Sequence, residues 1–512
     1  MGVKGLFPLL KKHAPSAVRS HPPNYLQGKR ISLDGNLLLF RDFMSPLWLP
    51  ADLESKHAMW CLRLARYCRA CNISPIIVFD SPMTTPAKVR ERAKRSLARQ
   101  SVRRVFDTAV DRSHRLTDLT ETFSKLIDME PLQRQQVARS FEAELVGADS
   151  SIMEAMLSLK ETTVSQTTDL QETIIIPDSV VDDTFAGQPE EVTNMTQSLI
   201  GHLDRVVKAG TSTAKAKTEL DVLLSFAVTR NSTLPIEGLQ QLSIDTTELV
   251  EKLSRRIKGP TNTQVSQCQK WLHECFHLPV QQSPDSFEGE CTAAFFQKLG
   301  YVDLVASDDS DVLIYGVSQL RGFMGLGGNG YDSQSDKKLL KLLPLTEVDV
   351  ESMMASLDLT ADSLVDFAIL SGTDYTINIR GMGPQKVLDL IRKYGNLSDT
   401  LAALETIHFS SGARKGSIKY KVHESFADDA LVARNIFSSF PNITQLAPHF
   451  QSSEIFLKST EEWKNLCRDD TAWQMAEEEV LSRCPDLSKM SLSLLDDKGL
   501  YMPNANHVGR LI

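Results

Sequence analysis

Two kinds of pattern alternate along the first hundred residues: short apolar runs that stop on an acid, and longer stretches with helical spacing. Arg30-Ile-Ser-Leu-Asp34 and Pro75-Ile-Ile-Val-Phe-Asp80 are β-branched and apolar, and each ends in an aspartate, which predicts two short buried strands. The segment between them, from about Leu53 to Ala70, spaces its apolar residues as a helix does, so the three form a β-α-β unit with parallel strands. The pattern recurs later. A helix over Phe287–Leu299 leads into Val302–Ala306, then the polar Ser307-Asp-Asp-Ser-Asp311, then the apolar run Val312–Tyr315. An acid at the carboxyl end of a parallel strand lies where open α/β sheets bind ligands, a position shared by Asp34, Asp80, Asp309 and Asp311. Taken singly, each is better read as a turn or helix-cap aspartate; their recurrence at one sheet edge is what suggests a site.

Residues 106 to about 265 carry mostly helical patterns, interrupted by Thr162–Ile200, which holds seven acids and no Lys or Arg. Such a stretch buries little and repels itself, so a disordered linker is expected there. From Leu345 onward the pattern is helical, with a Gly-Met-Gly-Pro turn at Gly381–Pro384 and no motif in the last hundred residues. The expected organisation is an α/β domain in two parts, 1–105 and 266–345, split by a helical insertion over 106–265. Helical regions over 346–400 and 401–512 follow.

Composition narrows the class. At roughly 150 residues per domain, 512 residues suggest about three domains. Apolar residues at 42% and charged residues at 24% are close to the globular average, which excludes a collagen-like, fully disordered or small disulfide-stapled protein. A net charge of −9 excludes a uniformly basic coat but leaves local patches open. Eight cysteines include one C-x-x-C, Cys68 and Cys71, with no second pair to complete a zinc site; reduced intracellular thiols are expected. Met1-Gly-Val-Lys-Gly-Leu-Phe-Pro8 lacks the apolar core of a signal peptide, and no run of about 18 apolar residues could span a membrane. A soluble cytosolic or nuclear protein is expected, with no membrane partner.

Further acids add chemistry. Glu288 and Glu290 stand at i and i+2, about 200° apart on a regular helix, so both reach one site only near the first turn, one of them through water. Alternatively Ser286 caps the helix and the two glutamates favour its dipole. Asp374, in Leu370-Ser-Gly-Thr-Asp-Tyr375, is the seventh candidate. Seven carboxylates cannot stay ionised together without cations, and all-oxygen ligation favours Mg²⁺ or Mn²⁺ over zinc. Two such cations about 4 Å apart can hold the attacking and the leaving oxygen of a phosphoryl displacement.

The basic counterpart is Lys88–Arg104, with eight Lys/Arg against Glu91 alone. Its charges fall on several helical faces, as in a solvated helix or a nuclear import signal; placed just after Asp80, they could instead clamp phosphates. Arg380-Gly-Met-Gly-Pro-Gln-Lys386 opens a helix with exposed backbone N–H groups, suited to a phosphate oxygen.

Together these motifs resemble those of the structure-specific 5′ nucleases, the family of flap endonuclease, exonuclease 1 and xeroderma pigmentosum group G. The carriers are Met1-Gly-Val-Lys-Gly-Leu6, Leu33-Asp34, Val78-Phe-Asp80, Glu288-Gly-Glu290, Ser307–Asp311 and Gly372-Thr-Asp-Tyr through Pro384, in the family's order. They cover residues 1 to about 105 and about 270 to 400. The resemblance implies an α/β PIN-like nuclease domain, with a mostly parallel central sheet flanked by helices, followed by a helix-two-turn-helix element and a helical C-terminal region. It implies that Asp34, Asp80, Glu288, Glu290, Asp309, Asp311 and Asp374 bind two Mg²⁺, for which Mn²⁺ can substitute, and that Lys88 and Arg95 act on the reacting phosphate. Nucleic acid would meet Gly2, Phe40, Arg92, Arg99 and Arg103, and the turn with Arg380, Gly381, Gly383 and Lys386, where the family holds K⁺. The implied activity is hydrolysis of DNA at junctions between duplex and 5′ single strand, in repair or replication and in the nucleus. The alternatives are a ribonuclease on the same fold, with RNA as partner, and a non-catalytic nuclease-like scaffold in RNA regulation. The chain departs from the family in Ser81-Pro82, which replaces the usual glycine after the second aspartate, and in Glu-Gly-Glu-Cys for Glu-Ala-Glu-Ala. Its insertion of about 160 residues exceeds a flap endonuclease arch and falls short of the group G spacer. There is no sliding-clamp box near the C-terminus.

Overall fold

A computed structural model of the chain describes residues 2–45, 55–82, 88–145, 190–209, 214–229, 236–257, 259–327, 341–408, 416, 418–484 and 487. It divides into two units, Met1–Arg99 with Lys258–Ile512, and Gln100–Ile257. The first is built on strands β1 (Val18–His21), β2 (Arg30–Asp34), β3 (Ser74–Phe79), β4 (Val280–Gln282), β5 (Leu304–Ala306) and β6 (Gln319–Arg321). A small antiparallel pair, β7 (Leu326–Gly327) and β8 (Lys341–Leu342), precedes β9 (Leu345–Val348). The main sheet has the order β1-β9-β6-β5-β2-β3-β4. β6, β5, β2, β3 and β4 run parallel, and β9 is antiparallel to both its neighbours. This is a mostly parallel α/β sheet, as the sequence pattern led one to expect.

The strands alternate between two cores. Ile31, Leu33, Ile77 and Phe79 enter one with Trp60, Leu64 and Trp271. Ile76 and Val78 enter the other with Leu6, Phe296, Phe367 and Leu388. Helices therefore cover both faces, as a parallel sheet requires. Between β2 and β3 lie helices Gly35–Phe43 and Lys56–Ala70. The apolar run Val312–Tyr315 is not a further strand: it forms a short helix, Asp311–Ile314.

Helices Ser453–Arg468 and Asp470–Ser482 complete the core behind β2 and β3. Trp463 Nε1 donates to the Ile73 carbonyl (2.9 Å), Arg66 Nη2 to Glu477 Oε2 (2.7 Å), and the Arg69 guanidinium lies 4.6 Å from the Trp473 ring centre. The eight cysteines, Cys68 and Cys71 among them, are free thiols. Among the described residues no helix is long and apolar enough to cross a membrane.

The helix Val89–Asp128 begins in the first unit, and its residues from Gln100 onward belong to the second. There Leu116, Phe123, Phe141, Leu199 and Phe226 form a separate core, with Arg112 and Arg115 paired to the buried Glu219. The linker expected over 162–200 is corrected at its end, because Glu190–Lys208 is a helix; residues 162–189 lie outside the described residues. Val192, Thr196, Leu199, Leu203 and Val206 bury one stripe of it, while Glu190 and Glu191 occupy the first turn. Acids there favour the helix dipole, so charges that suggest disorder in a linear sequence are helix-start residues. Leu199→Ala is accordingly expected to lower the stability of this unit by about 2–5 kcal/mol, read by urea unfolding of the full chain. A change within about 0.5 kcal/mol, the usual range for surface positions, would restore the linker reading.

A carboxylate-rich candidate active site

Each candidate acid sits where a strand or helix stops. Asp34 ends β2 and caps the helix Gly35–Phe43: its Oδ1 accepts from the Leu37 N–H (2.9 Å) and its Oδ2 from Ser307 Oγ (2.9 Å). Gly35 lets this turn pass beside β3, since a Cβ there would lie 2.9 Å from the Val78 carbonyl oxygen. Asp80 follows β3, and its two oxygens accept from the Gly289 N–H (2.8 Å) and Asn36 Nδ2 (3.0 Å). The glycine between the two glutamates is thereby explained: a Cβ on Gly289 would stand 2.9 Å from Asp80 Oδ1.

Glu288, with extended backbone, is the residue that precedes the helix Gly289–Lys298, and Glu290 lies in its first turn. Ser286, at φ 77°, is not the cap. Both glutamates thus fall in the one stretch where i and i+2 can share a site. Asp309 and Asp311 come from the loop after β5, which is held by the Asp309 N–H to Ser307 Oγ (3.1 Å) and the Asp311 N–H to Asp309 Oδ1 (3.1 Å). Asp374 follows the helix Ala361–Ser371 in a turn closed by Thr373 and Thr376, whose hydroxyls lie 3.2 Å apart. Ser81 Oγ donates to Asp285 Oδ1 (2.6 Å), so the departure after Asp80 ties that loop to the one ahead of Glu288.

The carboxylates press on one another. Burial, and then the charge of Asp80, pushes the Asp34 carboxyl from 3.8 up to about 7. Burial likewise raises Glu288, Glu290, Asp309 and Asp311. Glu290 Oε2 and Asp311 Oδ1 are buried without a hydrogen-bond donor, a costly state for a carboxylate. Hard cations would satisfy both atoms, and the donor set, oxygen throughout, fits Mg²⁺ or Mn²⁺. Among the described residues no three acids converge on one preformed cation position. Two of them are instead engaged by the basic helix: Lys88 Nζ lies 2.7 Å from Glu288 Oε2, and Arg95 pairs with Asp374. Burial alone would lower the Lys88 ammonium, but Glu290, Glu288 and Asp80 overcome it and hold the group protonated.

A carboxyl raised on folding stabilises the fold while protonated. For Asp34 that contribution is complete below about 4 and is lost as pH rises through about 7. The cation-free chain should therefore melt at a lower temperature at about pH 8 than at about pH 6, and Mn²⁺ should raise the melting temperature more at the higher pH. An equal Mn²⁺ shift at both values would contradict this.

The remaining candidates distribute as follows. A Cβ on Gly2, at φ 80°, would collide with Asp309 Oδ1 and stand 2.8 Å from Asp311 Oδ1, so only glycine lets the N-terminal segment lie on these acids. Phe40 is half-buried, and a Cβ on Gly259 would come within 3.2 Å of its ring. Arg92 and Arg99 are exposed on the helix that carries Arg95, and Arg103 belongs to the second unit. Arg380 is exposed ahead of the turn, Gly381 has φ 82°, and Gly383 precedes the helix Pro384–Tyr394 without a side-chain cap. Lys386 Nζ folds back on the Gly381 carbonyl (3.1 Å). Asn36 and Ser307, which hold Asp80 and Asp34, were not singled out from the sequence; their adjacency to the acids was the available signal.

The XPG N-terminal domain matches residues 1–102 and the XPG I-region residues 277–374. An uncharacterised protein of Schizosaccharomyces pombe is 26% identical over 476 residues, covering 87% of this chain and 88% of that protein. Flap endonuclease 1-B of Sorghum bicolor is 34% identical over 170 residues, 33% of this chain and 36% of that protein; the match thus spans about a third of the plant enzyme. Among solved structures, the catalytic core of Rad2 in complex with DNA substrate is 14% identical, with a TM-score of 0.40 over 90% of this chain and 100% of that one. All seven acids lie within the two segments matched by these models, so the chain carries an XPG N-terminal domain and an XPG I-region.

Proposed function

We propose that the protein is a Mg²⁺-dependent 5′ nuclease that hydrolyses DNA phosphodiesters where duplex meets 5′ single strand. The observation that carries this reading is the set of buried carboxylates with donorless oxygens, entered by Lys88 and Arg95 from the adjoining basic helix. Two bound cations would supply neutralisation of the charge that develops on the attacking and leaving oxygens. The chain's own groups do the rest. Lys88 and Arg95 offset charge on the reacting phosphate, Gly2 leaves space for close approach, and Phe40 offers a face on which a base stacks. The free backbone N–H groups of the first turn after Pro384 hold a duplex phosphate, and the turn at Gly381 would hold K⁺. Products carry 5′-phosphate and 3′-hydroxyl. A role in repair or replication, in the nucleus, follows from the same reading.

The test is purified protein with Mg²⁺ on labelled flap, bubble, nicked, gapped, four-way and RNA substrates. Cleavage of branched DNA is expected. Cleavage of RNA alone would make the protein a ribonuclease on this fold, and cleavage of none would leave a nuclease-like scaffold.

A further inference from the structure

The loop that carries Asp309 and Asp311 holds a third aspartate that the proposed reaction does not use. Asp308 accepts from Arg41 Nη1 at its Oδ2 (2.9 Å) and from the Gly322 N–H at its Oδ1 (2.9 Å). Arg41 commits its other donors to Asp42 Oδ1 through Nε (2.9 Å) and to the Phe323 carbonyl through Nη2 (2.7 Å). Asp42, 4% exposed, also accepts from Arg63 Nη1 (3.0 Å), and the buried Arg63 reaches the Met324 carbonyl. Every charge in this group has an opposite charge within hydrogen-bond distance, and Arg41, Arg63 and Asp308 each have a backbone anchor as well. The guanidinium fork is what permits it, since a single arginine spans two carboxylates and a carbonyl at fixed angles.

The position of Arg41 gives the group its consequence. The helix Gly35–Phe43 starts at Asp34 and carries Phe40 and Arg41. One rigid element therefore holds one acid at its start and, two turns later, grips the immediate neighbour of Asp309. We propose that Arg41 and Asp308 are a positioning pair: they fix the Asp309/Asp311 loop relative to Asp34 and so set the spacing of the carboxylates for their cations. The inference rests on the cation-binding reading above. A bystander pair would act only through its charges, and the two roles predict opposite signs. Removing a positive charge beside the acids would tighten cation binding and removing a negative one would weaken it, whereas loss of positioning weakens it in both cases.

The experiment measures the dissociation constant of Mn²⁺ by electron paramagnetic resonance on the full chain without nucleic acid. Arg41→Gln, Arg41→Lys and Asp308→Asn are each expected to weaken binding by about tenfold or more, the usual effect of losing a partner behind the ligands. The double variant Arg41→Gln/Asp308→Asn should be no weaker than the worse single change. Lysine keeps the charge but not the fork, so an Arg41→Lys variant with wild-type affinity overturns the proposal. Tighter binding in Arg41→Gln does the same. If Arg41→Gln does not fold, Arg41→Lys and Asp308→Asn decide. Asp309→Asn distinguishes the two levels: if it leaves Mn²⁺ binding unchanged, the cation-binding reading itself fails, and if it weakens binding while the Arg41 and Asp308 variants do not, only the positioning role fails.

Discussion

Asp309→Ala is expected to abolish cleavage of branched DNA while leaving DNA affinity within about an order of magnitude. On the proposed reading the carboxylate holds a cation and makes no phosphate contact, since its charge opposes DNA. Loss of several kcal/mol of transition-state stabilisation is about a thousandfold or more in rate. Asp80→Ala should behave alike, although it also frees the Gly289 N–H and Asn36 Nδ2 that Asp80 now accepts from. Asp309→Ala frees one donor, the Asp311 N–H, and, unlike Glu288 and Asp374, Asp309 is not the acid paired with Lys88 or Arg95. Single-turnover cleavage at a near wild-type rate in either variant would remove that residue from the site. Chelation should reproduce the loss, with Mg²⁺ or Mn²⁺ restoring activity; a requirement for Zn²⁺ would contradict the oxygen-only ligand set.

Those acids were legible in the sequence for a local reason. Asp34 and Asp80 each terminate a short apolar run, and a strand's carboxyl end is visible wherever β-branched residues give way to a turn. The glutamate pair was legible for the same reason: both lie within one turn of a helix start. What the sequence hid depends on long separations. Helices Ser453–Arg468 and Asp470–Ser482 read only as a helical pattern without a motif, since nothing local signals that Trp463 will donate to the Ile73 carbonyl or Glu477 accept from Arg66. Asp308 shows the same limit within a motif. In Ser307-Asp-Asp-Ser-Asp311 the three aspartates are chemically alike, and only the fold turns one of them toward Arg41. Composition misled where local position mattered more, as at Glu190 and Glu191, where two acids open a helix.

Lys88 and Arg95 should separate chemistry from binding. Lys88, just ahead of the helix Val89–Asp128, and Arg95, within it, each reach an acid, while Arg92 and Arg99 are exposed. Were they only two among the eight basic residues of Lys88–Arg104, alanine at either would weaken affinity and flatten the salt dependence by about 0.9 in log–log slope per lost phosphate contact. As groups that meet the reacting phosphate, they should instead each cost about 10² or more in single-turnover cleavage at saturating protein, beyond any change in affinity. Arg103→Ala, on the same helix but in the second unit, supplies the comparison and should affect binding alone. Cation affinity rules out an indirect route. Lys88 now occupies Glu288 and competes with a cation for it, so Lys88→Ala should leave Mn²⁺ affinity unchanged or tighter even as cleavage falls. A drop in rate that tracks a loss of Mn²⁺ would make Lys88 a support for the cation site and not a partner of the phosphate. Equal small losses for all three variants would reduce the helix to an electrostatic track.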